Sequence, residues 1–293
     1  MPRCSKFLTL LLLLSPAVGF AKEAPKSDSP AFTTEPELNA GFDLLYEQKF
    51  AEARRAFASW ESRNLDDPFG EVAVAASYLF EELCDQGVLT SDFFLDDKKF
   101  LHGISDRPNP ERMSHFVEAL ARARELAKAR QKTNPNDGEA LFALTLAAGM
   151  ESDAESILQK RRMDGLKRMK EANKYAEVLL ARDPDVTDAY IALGIANYVI
   201  GSQNAGARFA LWFDGVHGNK QLGMEQVAKT AEHGHYLRPF AKIILALAAL
   251  REKQVPLAQK LLRELCEQYP DTQLYASEYA KVSSPPVREA SVR

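Results

Sequence analysis

The sequence has 293 residues, of which 46% are hydrophobic, so it is long enough to bury a sizeable core. Its 37 Lys and Arg residues stand against 41 Asp and Glu, a formal net charge of −4. A mildly acidic chain without a basic block is a poor nucleic-acid binder, so nucleic-acid partners are excluded from the hypotheses below.

The first 21 residues have the pattern of a secretory signal peptide. Basic residues precede an apolar run at positions 7–14, and Gly19 and Ala21 place small residues where a signal peptidase reads. We therefore predict cleavage after Ala21 and an exported protein, periplasmic or secreted. An uncleaved anchor is the alternative, but the apolar run is too short to cross a bilayer and Ser15-Pro16 interrupts it.

Three further segments follow the signal peptide. Residues 22–34 are rich in Pro, Ser and charge, and we expect a flexible leader there. Residues 35–282 carry helical periodicity and are expected to form one helical repeat domain, and residues 283–293 a disordered tail. No segment after the signal peptide has enough uninterrupted apolar length to cross a membrane, so no transmembrane segment is expected once the signal is removed.

Helical hairpins recur along residues 35–282. The first lies in LNAGFDLLYEQKFAEARRAF, the second comprises helices 69–86 and 111–133 around an insertion at 88–110, and the third opens at Gly138. Its second helix is expected over 165–182, after an extra helical piece at 150–164. The fourth pair brackets an insertion at 202–219 and ends with helix 220–232. A fifth runs from 239 to 270, and residues 273–282 are expected to form a capping helix.

The fourth hairpin carries the most specific signal. Tyr190, Leu193, Gly194 and Asn197 fall where the tetratricopeptide (TPR) repeat places an aromatic residue, a Leu, a Gly and a further packing residue. The chain resembles a TPR protein. The resemblance implies an all-α, TPR-like helical-hairpin solenoid of about five repeats, with inter-helix insertions and a C-terminal capping helix.

The resemblance is more particular in the C-terminal half. Residues 218–270 are similar to exported bacterial TPR proteins and to the eukaryotic TPR family linked to outer mitochondrial membranes and inclusion clearance. This similarity implies an adaptor-like protein and transfers no catalytic residue. No GxSxG, HExxH, P-loop or GxGxxG pattern is present, so we expect neither an enzyme nor a cofactor.

Candidate metal ligands and paired acids have simpler explanations. His233 and His235 flank Gly234, which is interpreted as the end of a helix, and no Glu or His at helical spacing completes a metal site. Asp96-Asp97 and the acidic residues around Pro184 occur in turn or cap contexts, which favours solvated turns over acid–base chemistry. Cys84 and Cys266 lie far apart in an open stack of hairpins, so two free thiols are expected.

The first helices of the hairpins carry an unusual apolar pattern. In a TPR stack they line the concave groove, where peptide binders usually display charged side chains, yet here they are apolar nearly all round. Either the insertions or a tight superhelix fill the groove, or the groove takes an apolar ligand or an amphipathic helix. The candidate groove residues are Phe42, Phe142, Leu146, Ile191, Ile195, Tyr198, Ile243 and Leu247, with Trp212 and Phe213 of the fourth insertion.

The insertions are expected to emerge on one face. In that arrangement Trp212 and Phe213 pack over the first helices, either as a lid on the core or as a recognition surface. The leading functional hypothesis is a non-enzymatic interaction or scaffold protein of the cell envelope, with another envelope protein as its partner. One alternative is the TPR-type accessory subunit of a solute transporter, which presents a small apolar ligand. A second alternative is an enzyme with a site built from the insertions.

Overall fold

The computed structural model of the protein describes residues 35–203 and 217–284. Every regular element in these two ranges is helical, which confirms the predicted all-α class. The signal peptide, the leader, most of the tail, Trp212 and Phe213 lie outside the described residues. Within the described ranges, no helix combines the length and the apolar character that a membrane span requires.

The helices follow one another with short connections, except where the insertions fall. A π-helical turn, Ala154–Leu158, follows α7, and a 3-10 turn, Thr187–Ala189, precedes α9. The α-helices are α1 (Pro36–Tyr46), α2 (Phe50–Glu61), α3 (Pro68–Asp85), α4 (Ser91–Phe94), α5 (Asp97–His102), α6 (Pro110–Thr133), α7 (Gly138–Asp153), α8 (Arg162–Arg182), α9 (Tyr190–Gly201), α10 (Lys220–His233), α11 (Arg238–Arg251), α12 (Val255–Gln268) and α13 (Gln273–Ser283).

Local signals explain several helix ends. The Asp67 carboxylate accepts the backbone N–H of Phe69 at 2.8 Å, which caps the start of α3. Asn109 caps α6 in the same way. Gly87, at φ +66°, takes the left-handed conformation that ends α3, as its position in the sequence predicts. Most of the segment 150–164 is helical, as expected, but it is not a separate helix: α7 continues to Asp153, the π-helical turn follows, and α8 already begins at Arg162.

Consecutive helices pack in pairs. The pairs are α1 with α2, α3 with α6, α7 with α8, α9 with α10, and α11 with α12, while α13 packs on α12. Small residues permit the close crossings. A Cβ atom on Gly194 would lie 2.7 Å from a methyl group of Val227, so any larger residue would push α9 away from α10.

The first helix contacts the last ones through tyrosine hydroxyl groups. Tyr46 on α1 donates a hydrogen bond to the carbonyl oxygen of Tyr236 at 2.9 Å. Tyr275 on α13 donates to the carbonyl oxygen of Tyr46 at 3.1 Å, and Tyr269 donates to Asp43 at 3.1 Å. The two ends of the helix array therefore meet, and the expectation of an open stack is wrong.

This closure changes the setting of the two cysteines. Cys84 and Cys266 are both free and partly buried. The pKa of the Tyr275 hydroxyl is raised, first by burial and then by electrostatic interaction with Cys84, Tyr269 and Cys266. Because both cysteines act on this one hydroxyl, both thiols lie near it. The argument that an open stack keeps them far apart therefore fails, although both thiols are unpaired.

The insertion at 88–110 crosses to the last helices and is held there by polar contacts. Arg251 on α11 donates to the carbonyl oxygen of Phe94 and pairs with Asp97 at 2.6 Å. The buried Glu278 on α13 accepts the backbone N–H of Ser91 at 2.9 Å. The insertion thus bridges the second helix pair and the C-terminal helices on one side of the molecule.

Candidate functional site: an apolar cavity

Two adjoining cavities lie inside the ring of helices. The first has a volume of about 120 Å³ and is lined by α1, α3, α7, α8, α9 and the start of α11. The second has a volume of about 440 Å³ and extends from it beneath the insertion at 88–110, the π-helical turn and the end of α9. Both cavities share the lining residues Leu83, Ser152, Asp153, Met169, Ile195 and Phe240.

Aromatic and aliphatic side chains form most of the wall. Phe42 on α1 lies 5.0 Å from Tyr236, between ring centroids, and Phe80 on α3 lies 6.3 Å from Phe240 on α11. From the insertion, Phe93 and Phe94 line the second cavity. These contacts join the beginning, the middle and the end of the chain, so the cavity exists only in the folded protein.

Asp153 is the charged residue common to both cavities, and the hydroxyl-bearing Ser152 beside it also lines both. It is the last residue of α7, it is partly buried, and no side chain in the described part of the molecule donates a hydrogen bond to it or pairs with it. Burial raises the pKa of this carboxyl from its ordinary value of 3.8 to about 7. Arg162, exposed at the edge of the second cavity, is the other charged residue among the described lining residues.

Asn173 on α8 adds a second polar atom to the first cavity. Its side-chain oxygen Oδ1 is buried and has no hydrogen-bond partner among the described residues. A buried amide oxygen without a donor costs about 1–3 kcal/mol. Thr145 on the same wall differs, because its hydroxyl donates to the carbonyl oxygen of Leu141 at 2.8 Å. Asn173 is therefore an acceptor that the described part of the chain leaves unsatisfied.

A π-helical turn shapes the wall beside Asp153. Ala154–Leu158 widens the helix directly after this residue, and such turns occur frequently at functional sites. The insertion is fixed to the turn, because the backbone N–H of Ile104 donates to the carbonyl oxygen of Ile157 at 3.1 Å. Gly103 permits this approach, since its φ is +80° and a Cβ atom would lie 2.2 Å from that oxygen.

The candidate groove residues fall into three groups. Phe142, Ile243 and Leu247 are buried in the helix packing and do not line either cavity. Trp212 and Phe213 lie outside the described residues, so their predicted place over the first helices stays a prediction. The remaining members line a cavity: Phe42, Leu146, Ile191, Ile195 and Tyr198.

Sequence reasoning missed Asp153 and Asn173. A signal for Asp153 exists, because it follows Leu146 by seven residues and so continues the same face of α7. A polar residue on the otherwise apolar, inward-facing side of a helix indicates a polar group on the wall of the interior. No comparable signal marks Asn173, which lies on a helix with a mixed polar pattern.

The acidic and histidine candidates have structural roles. Asp96 caps α5 by accepting the backbone N–H groups of Lys98 and Lys99. The helix α10 ends at Gly234 as expected, and the glycine also gives the buried Asp188 room to reach the following turn. No group of three or more potential metal ligands occurs among the residues that the structure describes.

Asp188 organises the turn between α10 and α11. Its carboxylate accepts the backbone N–H groups of His235, Tyr236 and Leu237 at 2.8, 2.9 and 3.2 Å. These bonds fix Tyr236, which contacts Tyr46 on α1, so Asp188 helps to hold the ring closed.

No protein-family model matches this chain, and no curated protein shows significant sequence similarity to it.

Proposed function

We propose that this protein binds a small apolar or amphipathic molecule inside a closed superhelix of TPR-like hairpins. The succession of paired helices followed by a final helix supports this proposal. One observation carries the proposal: the first helices of the pairs surround a cavity, because α1 meets the C-terminal helices and the insertion at 88–110 covers one side.

The size and chemistry of the cavities support this function. Small-molecule sites typically have volumes of about 300–1,000 Å³ and apolar walls with a few convergent polar groups. The second cavity, at about 440 Å³, falls in that range. The first, at about 120 Å³, extends it with a narrower apolar end. Asp153 and Asn173 are among the few polar residues of the walls.

The scaffold hypothesis receives less support from this geometry. A peptide-binding TPR groove presents the inner faces of its first helices to a partner. Here those faces have partners within the chain, such as Phe42 with Tyr236 and Phe80 with Phe240. Together with the predicted export signal, an apolar cavity between the helices favours an envelope protein that carries a ligand, as in the transporter-accessory alternative, and acts without catalysis.

The proposal is tested by filling the cavity from a position that has room. Gly149 lines the first cavity, and a Cβ atom there would have no contact within 4 Å. Gly149→Leu should therefore direct its side chain into the cavity, and it also removes a glycine from a helix interior. We expect this variant to fold and to lose binding of a fluorescent apolar probe, while Gly149→Ala retains most of it.

A second control separates cavity filling from a general effect of added leucine. Ala129→Leu places the same side chain on the exposed face of α6, away from both cavities, and should bind the probe like the unaltered protein. Native mass spectrometry of the purified protein, followed by organic extraction, should reveal a bound small molecule that Gly149→Leu lacks. Equal probe binding by all four proteins would refute an interior site.

A further inference from the structure

The walls of the two cavities carry hydrogen-bond acceptors to which none of the described residues donates. The partly buried Asp153 lines both cavities and has no ion-pair or hydrogen-bond partner among the described residues, and the buried Oδ1 atom of Asn173, which lines the first cavity, has no described donor either. Buried polar groups in native proteins are nearly always paired. Two unpaired acceptors on the wall of one apolar cavity therefore indicate that the missing donor belongs to a molecule that enters it.

From this arrangement we infer that the ligand is an apolar-chain amphiphile whose head group donates hydrogen bonds, an amine or an alcohol, to Asp153 and Asn173. This inference rests on the proposed function, since it names the chemistry of the molecule in the same cavity. The apolar part of the ligand contacts residues of the shared wall, such as Met169, Ile195 and Phe240.

The charge distribution opposes an anionic head group at this position. A carboxylate ligand would meet the Asp153 carboxyl and the Asn173 oxygen, which offer it no cation. Among the described lining residues, the one cation is Arg162, which is exposed and lines the second cavity. An anionic amphiphile would have to place its head group there, at the outer edge, and leave both inner acceptors unpaired.

The backbone around the two acceptors indicates a preorganised binding site and not a packing defect. Asp153 immediately precedes the π-helical turn, and the insertion is fixed against that turn by the hydrogen bond from Ile104 to Ile157. Asn173 comes from the adjacent helix α8, which packs along α7. Two neighbouring helices and the insertion thus fix the position of the acceptor pair before a ligand arrives.

The experiment compares three ligands that share one chain and differ in the head group: decylamine, 1-decanol and decanoate. Affinities are measured by displacement of a fluorescent apolar probe from the full-length protein. Decylamine and 1-decanol should each bind at least roughly tenfold more tightly than decanoate near neutral pH. Raising the pH from about 5 to about 8 should strengthen decylamine alone, because Asp153 ionises over that range.

Two near-isosteric variants and one control test whether the preference for donor head groups depends on Asp153 and Asn173. Asp153→Asn should weaken decylamine roughly tenfold and 1-decanol less, because the amide still offers one acceptor oxygen. Asn173→Leu should weaken both donor ligands and leave decanoate unchanged. Asp164→Asn is the control, since Asp164 pairs with Lys167 outside both cavities and its loss should change no affinity.

The outcomes separate the two proposals. If decanoate binds as tightly as the other ligands, or if both variants affect all three ligands equally, the donor head group is refuted while an apolar binding site stands. If no ligand displaces the probe, or no probe binds at all, the proposed function fails together with this inference. Both proposals are supported if decylamine and 1-decanol bind more tightly than decanoate and if this difference depends on Asp153 and Asn173. Asp164→Asn should then leave all three affinities unchanged.

Discussion

Asp153→Asn gives a quantitative test of the buried carboxyl through protein stability alone. Burial raises the pKa of Asp153 from 3.8 to about 7, so the folded protein binds this proton more tightly than the unfolded chain does. Below about pH 3 the group is neutral in both states and imposes no cost. As the pH rises from about 4 to about 7, the unfolded chain ionises freely, whereas the folded protein does not, and stability falls.

The size of the effect follows from the same pKa values. Each tenfold change in proton affinity is worth about 1.4 kcal/mol, so the rise from 3.8 to about 7 corresponds to about 4 kcal/mol of stability lost above neutral pH. Asparagine has nearly the same shape and cannot ionise. We therefore expect Asp153→Asn to match the unaltered protein at about pH 3 and to be more stable by up to about 4 kcal/mol at about pH 8.

Urea denaturation of both proteins across this pH range provides the measurement. Burial also raises the pKa of Glu61 to about 7, helped by Glu71, and this gives a pH dependence of the same sign. Because Glu61 is present in both proteins, its contribution cancels in the difference. A stability difference that does not change with pH, or a variant less stable than the unaltered protein at about pH 8, would refute the assigned environment of Asp153.

Three further predictions test the closed ring and the helix packing. Tyr46→Phe leaves the Tyr236 carbonyl without its donor and should cost about 1–2 kcal/mol in chemical denaturation, whereas an unchanged midpoint would mean that the ring is held without this bond. Ala258→Asp places a charge at a fully buried helix crossing and should lower stability by about 3–5 kcal/mol, a loss that an unchanged melting temperature would contradict. Cys84 and Cys266 should both titrate as thiols after denaturation without reductant, and loss of both signals would show that they pair.

Local interactions explain what the sequence predicted well. The all-α class and most helix boundaries depend on contacts between near neighbours: apolar periodicity, capping residues such as Asp67 and Asn109, and the stop at Gly87. These signals act within a few residues along the chain, so they can be read from it. The inward face of the first helices was predicted for the same reason, and Leu146, Ile191 and Ile195 do line the cavity.

Closure of the ring was decided only by tertiary structure. It depends on the hydroxyl of Tyr46 reaching Tyr236, on Tyr275 reaching Tyr46, and on Asp188 fixing the turn between them. Nothing near Tyr46 in the sequence specifies these partners, which lie about two hundred positions away. Each helix pair is rotated slightly relative to the pair before it. The sum of these rotations determines whether the array stays open or its last helices return to its first helix.

For the candidate site, too, the sequence determined one part and the tertiary structure decided the other. The sequence by itself determined that the inner helices are apolar and that Asp153 shares a face with Leu146, because helical periodicity fixes which residues share a face. Only the folded structure brings Asp153 and Asn173 to the wall of one cavity and leaves them without donors, because burial and partnership depend on helices that meet across the ring.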